Sequence, residues 1–133
     1  MNEMVGLLEL AARVLREHPD APAVVNAEVC HRSGHGLLVS LQLGYAARLR
    51  EITDAVASWA LALDAAVQVV DRKSYAEIAA YGVVGGQTVW VWDHLEPAQV
   101  IELLDRTGES FEGGRMVFDP VALLSALAVR AVA

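Results

Sequence analysis

Two mostly apolar runs in the second half of the chain, separated by two glycines, predict two β-strands joined by a tight turn. The strands cover residues 76–84 and 87–93, and both are rich in the β-branched and aromatic residues that favour a sheet. Gly85 and Gly86 lie between them and can adopt the positive φ angles that two-residue hairpin turns require. This segment is therefore predicted to form a β-hairpin.

The register of that hairpin separates its side chains into two faces. Counting outward from the turn pairs Tyr81 with Trp90 and Ala79 with Trp92. Because successive side chains point to opposite sides of a strand, these four share one face, and small aliphatic residues fill the other. Both faces are apolar, so both need cover from the protein itself or from another molecule.

Further periodic segments predict the other elements of the fold. Helices are expected over residues 4–15, 46–63 and 121–132, with a short helix from Pro97 to a stop at Thr107-Gly108. Strands are expected over residues 23–30, 37–43 and 66–70, with a further short candidate at 116–118. The order αββαβββαα predicts an α+β fold, in which a mostly antiparallel sheet of about five strands carries helices on one face.

Length and composition indicate a single folded domain. The chain has 133 residues, of which 55% are hydrophobic and 20% charged, values that exclude a disordered or linker-like protein. We expect one α+β domain over residues 1–133, with an αββαβββ core at 1–95 and a C-terminal helical extension at 96–133.

Charge disfavours nucleic acid as a partner. The net charge is −7, and ten lysine and arginine residues supply all the fixed positive charge. Duplex nucleic acid repels such a chain unless a basic patch overcomes the repulsion, and the sequence contains no basic run. Arg48 and Arg50 lie near opposite faces of a predicted helix, and Arg72-Lys73 is a pair in a loop.

Cysteine use and hydropathy predict a cytoplasmic location. The single cysteine, Cys30, cannot form an intramolecular disulfide, which fits a reducing compartment. The first nine residues are acidic and amphipathic, unlike a signal peptide. The longest apolar run, residues 121–129, is far shorter than the ~20 residues that span a bilayer, so we expect no membrane association.

A metal site is the one pattern that would indicate an enzyme. Cys30, His31 and His35 surround the first predicted turn, and His94 ends the last hairpin strand; together they could in principle bind zinc. Cys30 and His31 are adjacent on a strand and point to opposite faces, so the spacing is poor. We predict no cofactor and no catalytic residue, and keep a metal-assisted or ligand-binding enzyme as the alternative.

The favoured hypothesis is a small, acidic, non-enzymatic module that binds another protein. Tyr81, Trp90 and Trp92 are its predicted contact residues, since tryptophan and tyrosine are enriched at binding hot spots. The other interpretation is that these rings pack under the third and fourth helices. The last helix is apolar on most sides, and Leu123, Leu124 and Leu127 are the predicted contacts of a homodimer. Such a module would serve as an accessory or inhibitory regulator.

Three segments carry a resemblance to known proteins. They are His18-Pro19-Asp20-Ala21-Pro22-Ala23, Trp59-Ala60-Leu61-Ala62-Leu63 and Thr88-Val89-Trp90-Val91-Trp92-Asp93-His94-Leu95. In these the chain resembles small uncharacterised αββαββ-type proteins of actinobacteria and of their phages or mobile elements. The likeness covers residues 10–95 and implies an αββαββ-like unit without any catalytic residue. The tail from Glu96 onward lies outside it.

Overall fold

The computed structural model describes residues 2–44 and 48–128, and this part of the chain contains four helices and six strands. The helices are α1 (Glu3–Glu17), α2 (Leu49–Ala62), α3 (Pro97–Thr107) and α4 (Pro120–Ala128). The strands are β1 (Asn26–Arg32), β2 (Gly36–Gln42), β3 (Val67–Asp71), β4 (Ala76–Val84), β5 (Gln87–Leu95) and β6 (Arg115–Phe118). The predicted α+β class is confirmed.

The strands form one mixed sheet in the order β1-β2-β5-β4-β3-β6. All neighbouring strands are antiparallel except β2 and β5, which run parallel. The sheet has six strands, one more than the predicted number of about five. The additional strand is the short candidate at 116–118, which pairs with β3 as the edge strand β6. The full order is thus αββαβββαβα.

Element ends agree with the predictions to within a few residues. The β4–β5 hairpin has the predicted register, including Tyr81 opposite Trp90 and Ala79 opposite Trp92. Asp119 accepts a hydrogen bond from the Ala122 backbone N–H, as expected of a residue that caps the start of α4. The predicted helical residues 46–47 and 129–132 lie outside the described part of the chain.

All four helices contribute to one core on a single face of the sheet. Val14 of α1, Leu103 of α3 and Leu123 of α4 are buried in the same cluster as Ile78 and Val91. Trp59 of α2 is buried in this core, and its indole Nε1–H donates to the Pro22 carbonyl over 2.8 Å. The helices therefore cover the face of β4 and β5 opposite to Tyr81, Trp90 and Trp92.

Gly82 marks the closest approach between this core and the sheet. A Cβ atom added to Gly82 would lie 2.7 Å from Cβ of Leu63, the residue that ends α2. We expect Gly82→Ala to lower the free energy of unfolding by about 1–3 kcal/mol, because backbone and helix must move apart. Gly6→Ala is the control: it lies within α1 with nothing within 4 Å of its added Cβ, and should raise stability by about 0.5–1 kcal/mol. Urea denaturation measures both, and equal effects would contradict the packing described.

Candidate functional site: a cleft under the first hairpin

The β1–β2 hairpin leaves the plane of the sheet and bends over its other face. Only Val39 to Gln42 of β2 pair with β5, where Val39 lies opposite Val89. If β2 continued straight along β5 from this pair towards its N-terminal end, Gly36 would lie beside the β4–β5 turn, and so would Arg32, its partner on β1. Glu77 is paired with His94, near the opposite end of β5. At ~3.3 Å per residue, Glu77 lies about 25 Å along the strand from the β4–β5 turn.

Side-chain contacts nevertheless join these distant positions. Arg32 Nη2 donates to both carboxylate oxygens of Glu77, over 2.8 and 3.0 Å. The His35 ring stacks on Tyr81 with centroids 4.5 Å apart, and the Arg32 guanidinium lies 3.9 Å from the centroid of Trp90. These contacts require the distal part of the hairpin to fold back across the sheet. We call residues 30–38 the arm.

A second, smaller core lies between the arm and the sheet. Leu38 of the arm is buried against Ala79 and Trp90, with Cys30, Tyr81 and Trp92 packed around them. The indole Nε1–H of Trp92 donates to the Ser40 hydroxyl over 2.9 Å. The apolar face that the sequence left without cover is thus partly covered by the chain's own hairpin. The expectation that α3 and α4 would cover it is wrong, because those helices pack on the other face.

The aromatic side chains form a continuous row along this face. The ring centroids of Tyr81 and Trp90 are 6.2 Å apart, and those of Trp90 and Trp92 are 4.8 Å apart, with nearly parallel planes. His94 continues the row through a T-shaped contact with Trp92, and Tyr75 makes a T-shaped contact with His94. Trp90 at its centre is only 7% exposed, so it supports the arm and offers little surface to a partner.

Glu77 is the electrostatic anchor of the arm. This glutamate is 5% exposed on a strand of small apolar residues, so its charge needs partners. Besides Arg32, the Arg72 guanidinium lies 3.7 Å from its carboxylate. Burial, followed by the charge of Glu77, raises the pKa of the Tyr81 hydroxyl, and Arg32 opposes this rise. Tyr81 therefore keeps its proton to a higher pH than an ordinary tyrosine, as the raised pKa requires.

A cleft of about 500 Å³ opens between the tip of the arm and the β3, β4 and β6 end of the sheet. Its lining is almost entirely polar or cationic: His31, Arg32, Ser33, His35, Gln68, Val70, Arg72, Tyr81 and Arg115. Three arginines meet here, and Glu77 beside them compensates one charge, which leaves two. In a chain with a net charge of −7 this is a local excess of positive charge suited to an anion.

The predicted dimer contacts lie in the core of a single chain. Leu123 is 1% exposed and Leu127 is fully buried, because α4 packs against α2 and α3. Leu124 is half-buried against the same core. The apolar character of the last helix is therefore accounted for by packing within the chain.

The candidate metal ligands lie apart from one another. Cys30 packs against the second core, where burial raises the pKa of its thiol, whereas His31 is exposed and lines the cleft. His35 stacks on Tyr81, whereas His94 contacts Tyr75 and Trp92. Within residues 2–44 and 48–128, no three histidine, cysteine, aspartate or glutamate side chains are grouped as metal binding would require.

The cationic residues of the cleft were missed by sequence reasoning. Arg32, Arg72 and Arg115 come from three distant segments, so a search for basic runs does not find them. One signal was present: Glu77 interrupts an otherwise apolar strand, and a buried carboxylate implies a cation brought to it by the fold.

Comparison of the chain with protein-family models, curated proteins and solved structures finds no match. None of the helices in the described part of the chain has the length and hydropathy needed to cross a bilayer.

Proposed function

We propose that this protein is a non-enzymatic binding module that recognises an acidic segment of a partner protein in the cleft under the arm. The observation that carries this proposal is the meeting of three of the chain's nine arginines on one cleft. Charge complementarity of this kind guides partner choice and raises association rates. The acidic surface elsewhere would repel the same partner and so favour docking at the cleft.

The surroundings of the cleft favour a polypeptide over a free ion. Val70 lies within the cleft, and Val117, two residues beyond Arg115 on the same face of β6, is 61% exposed. A peptide segment that places a carboxylate among the arginines can also pack an apolar side chain against these valines. Peptide recognition typically combines a charged contact of this kind with an apolar side-chain contact.

A labelled peptide tests the proposal. Fluorescence anisotropy with a hexaglutamate peptide should show saturable binding to the full chain that weakens as salt screens the charges. Arg115→Gln should weaken binding at least about fivefold, since it removes a charge-assisted contact. Arg16→Gln, on the exposed side of α1, is the matched control and should leave affinity unchanged. Peptide binding that is equal in the two variants, or no saturable binding, would overturn the proposal.

Self-association remains a prediction, but the contacts of a dimer must lie outside the buried face of α4. Since Leu123 and Leu127 are buried within one chain, a dimer would have to use exposed apolar side chains such as Met4 and Leu8 of α1. Recognition at the cleft does not depend on it.

A further inference from the structure

We infer that the anionic group bound in the cleft is a phosphate monoester. This inference rests on the proposed function and names the chemical group that the partner would present. A phosphorylated side chain and a small phosphate ester offer the same group, so the shared chemistry is what the cleft recognises.

The charge balance of the cleft favours a dianion. Arg32 and Arg72 share the single carboxylate of Glu77, and Arg115 adds a third guanidinium. Among the ion pairs of the described residues, Glu77 is thus the one carboxylate that pairs with these three arginines, which leaves an excess of two charges; Glu109 and Glu112 line a neighbouring cavity with Arg115 without forming an ion pair with it. A phosphate monoester carries ≈ −1.5 to −2 charge at neutral pH and matches this excess, whereas a carboxylate or a phosphodiester would compensate only about half of it.

The donors of the cleft also fit a phosphate group. Guanidinium groups pair with phosphate oxygens in a planar, two-bond geometry, and arginine is preferred over lysine for that reason. Among the described residues, no hydrogen bond or ion pair engages the Arg115 side chain, and the Arg72 side chain is 41% exposed. Ser33 and Gln68 add neutral donors to the same lining. Three guanidinium groups and two neutral donors can thus surround three phosphate oxygens.

Isothermal titration calorimetry of the full chain tests this inference. Phenyl phosphate should bind at one site per chain, at least about tenfold more tightly than benzoate or dimethyl phosphate, which carry one charge each. Arg115→Gln should weaken phenyl phosphate binding at least about tenfold, because charge-assisted contacts are among the strongest hydrogen bonds. Arg16→Gln should bind phenyl phosphate as the wild type does.

The remaining outcomes separate this inference from the proposed function. If hexaglutamate binds in an Arg115-dependent manner and phenyl phosphate does not, the phosphate inference fails and acidic recognition stands. If dimethyl phosphate or benzoate binds as tightly as phenyl phosphate, the assignment of a dianion is wrong. A phosphoserine peptide that binds more tightly than phenyl phosphate would support the inference with a phosphorylated protein as the source. Equal binding would support the phosphate assignment with a small ester as the source and would count against the proposed protein partner.

Discussion

Replacing Trp90 with alanine should lower the free energy of unfolding by about 3 kcal/mol. Its ring is 7% exposed, lies under the Arg32 guanidinium and packs against Leu38 of the arm. Truncation of a buried tryptophan costs about 3–5 kcal/mol. The lower end of that range is expected because Nε1 of Trp90 is buried without a hydrogen-bond partner among the described residues, and the substitution removes this unsatisfied donor. Urea denaturation followed by circular dichroism measures the change.

Trp90→Phe separates packing from hydrogen bonding at this position. Phenylalanine keeps a ring under the arm and removes the unpaired N–H, so its stability should lie within about 1 kcal/mol of the wild type. If Trp90→Ala also changed the free energy of unfolding by less than about 1 kcal/mol, the ring would not be packed beneath the arm. That result would contradict the second core formed by Leu38, Ala79 and Trp90.

Replacing Glu77 with glutamine should destabilise the protein by about 2 kcal/mol. The substitution keeps the shape of the side chain but leaves Arg32 and Arg72 without their carboxylate. Removal of one partner of a buried pair costs about 3–5 kcal/mol, and we discount this because the Arg32 side chain is 22% exposed to water. Loss of the anchor should also increase amide hydrogen exchange at residues 30–38.

Glu102→Gln is the matched control for the loss of a charge. Glu102 pairs with Arg106 over 3.2 Å on the surface of α3, where its side chain is 49% exposed. Exposed pairs contribute about 0–1 kcal/mol, so this variant should be close to wild type. Equal destabilisation by the two substitutions would show that Glu77 is no special anchor.

The hairpin of β4 and β5 was predictable from sequence because its information is local. Two glycines fix the turn, and the two-residue period fixes which side chains share a face, so the pairing of Tyr81 with Trp90 follows. The same holds for Asp119 at the start of α4, where the cap and the following Pro120 are adjacent in sequence. Such features depend on a few neighbouring residues only.

The arm and the cleft were not predictable because they depend on contacts between distant segments. The parallel pairing of β2 with β5 joins residues 50 positions apart, as in Val39 with Val89, and it determines where the hairpin leaves the sheet. The direction of the bend depends on Arg32 meeting Glu77, again far apart in sequence. Local periodicity therefore identified Leu38 as a strand residue without showing that it would cover Trp90.

The cleft under the arm is the proposed binding site, and the side-chain Nε–Hε signals of the arginines report on its occupancy. A nuclear magnetic resonance titration of ¹⁵N-labelled protein with the hexaglutamate peptide reports on each arginine separately. We predict that the signals of Arg32, Arg72 and Arg115 shift together while those of Arg13 and Arg16 on α1 stay in place. Shifts confined to the α1 arginines, or no shift at the three cleft arginines at saturating peptide, would contradict the account.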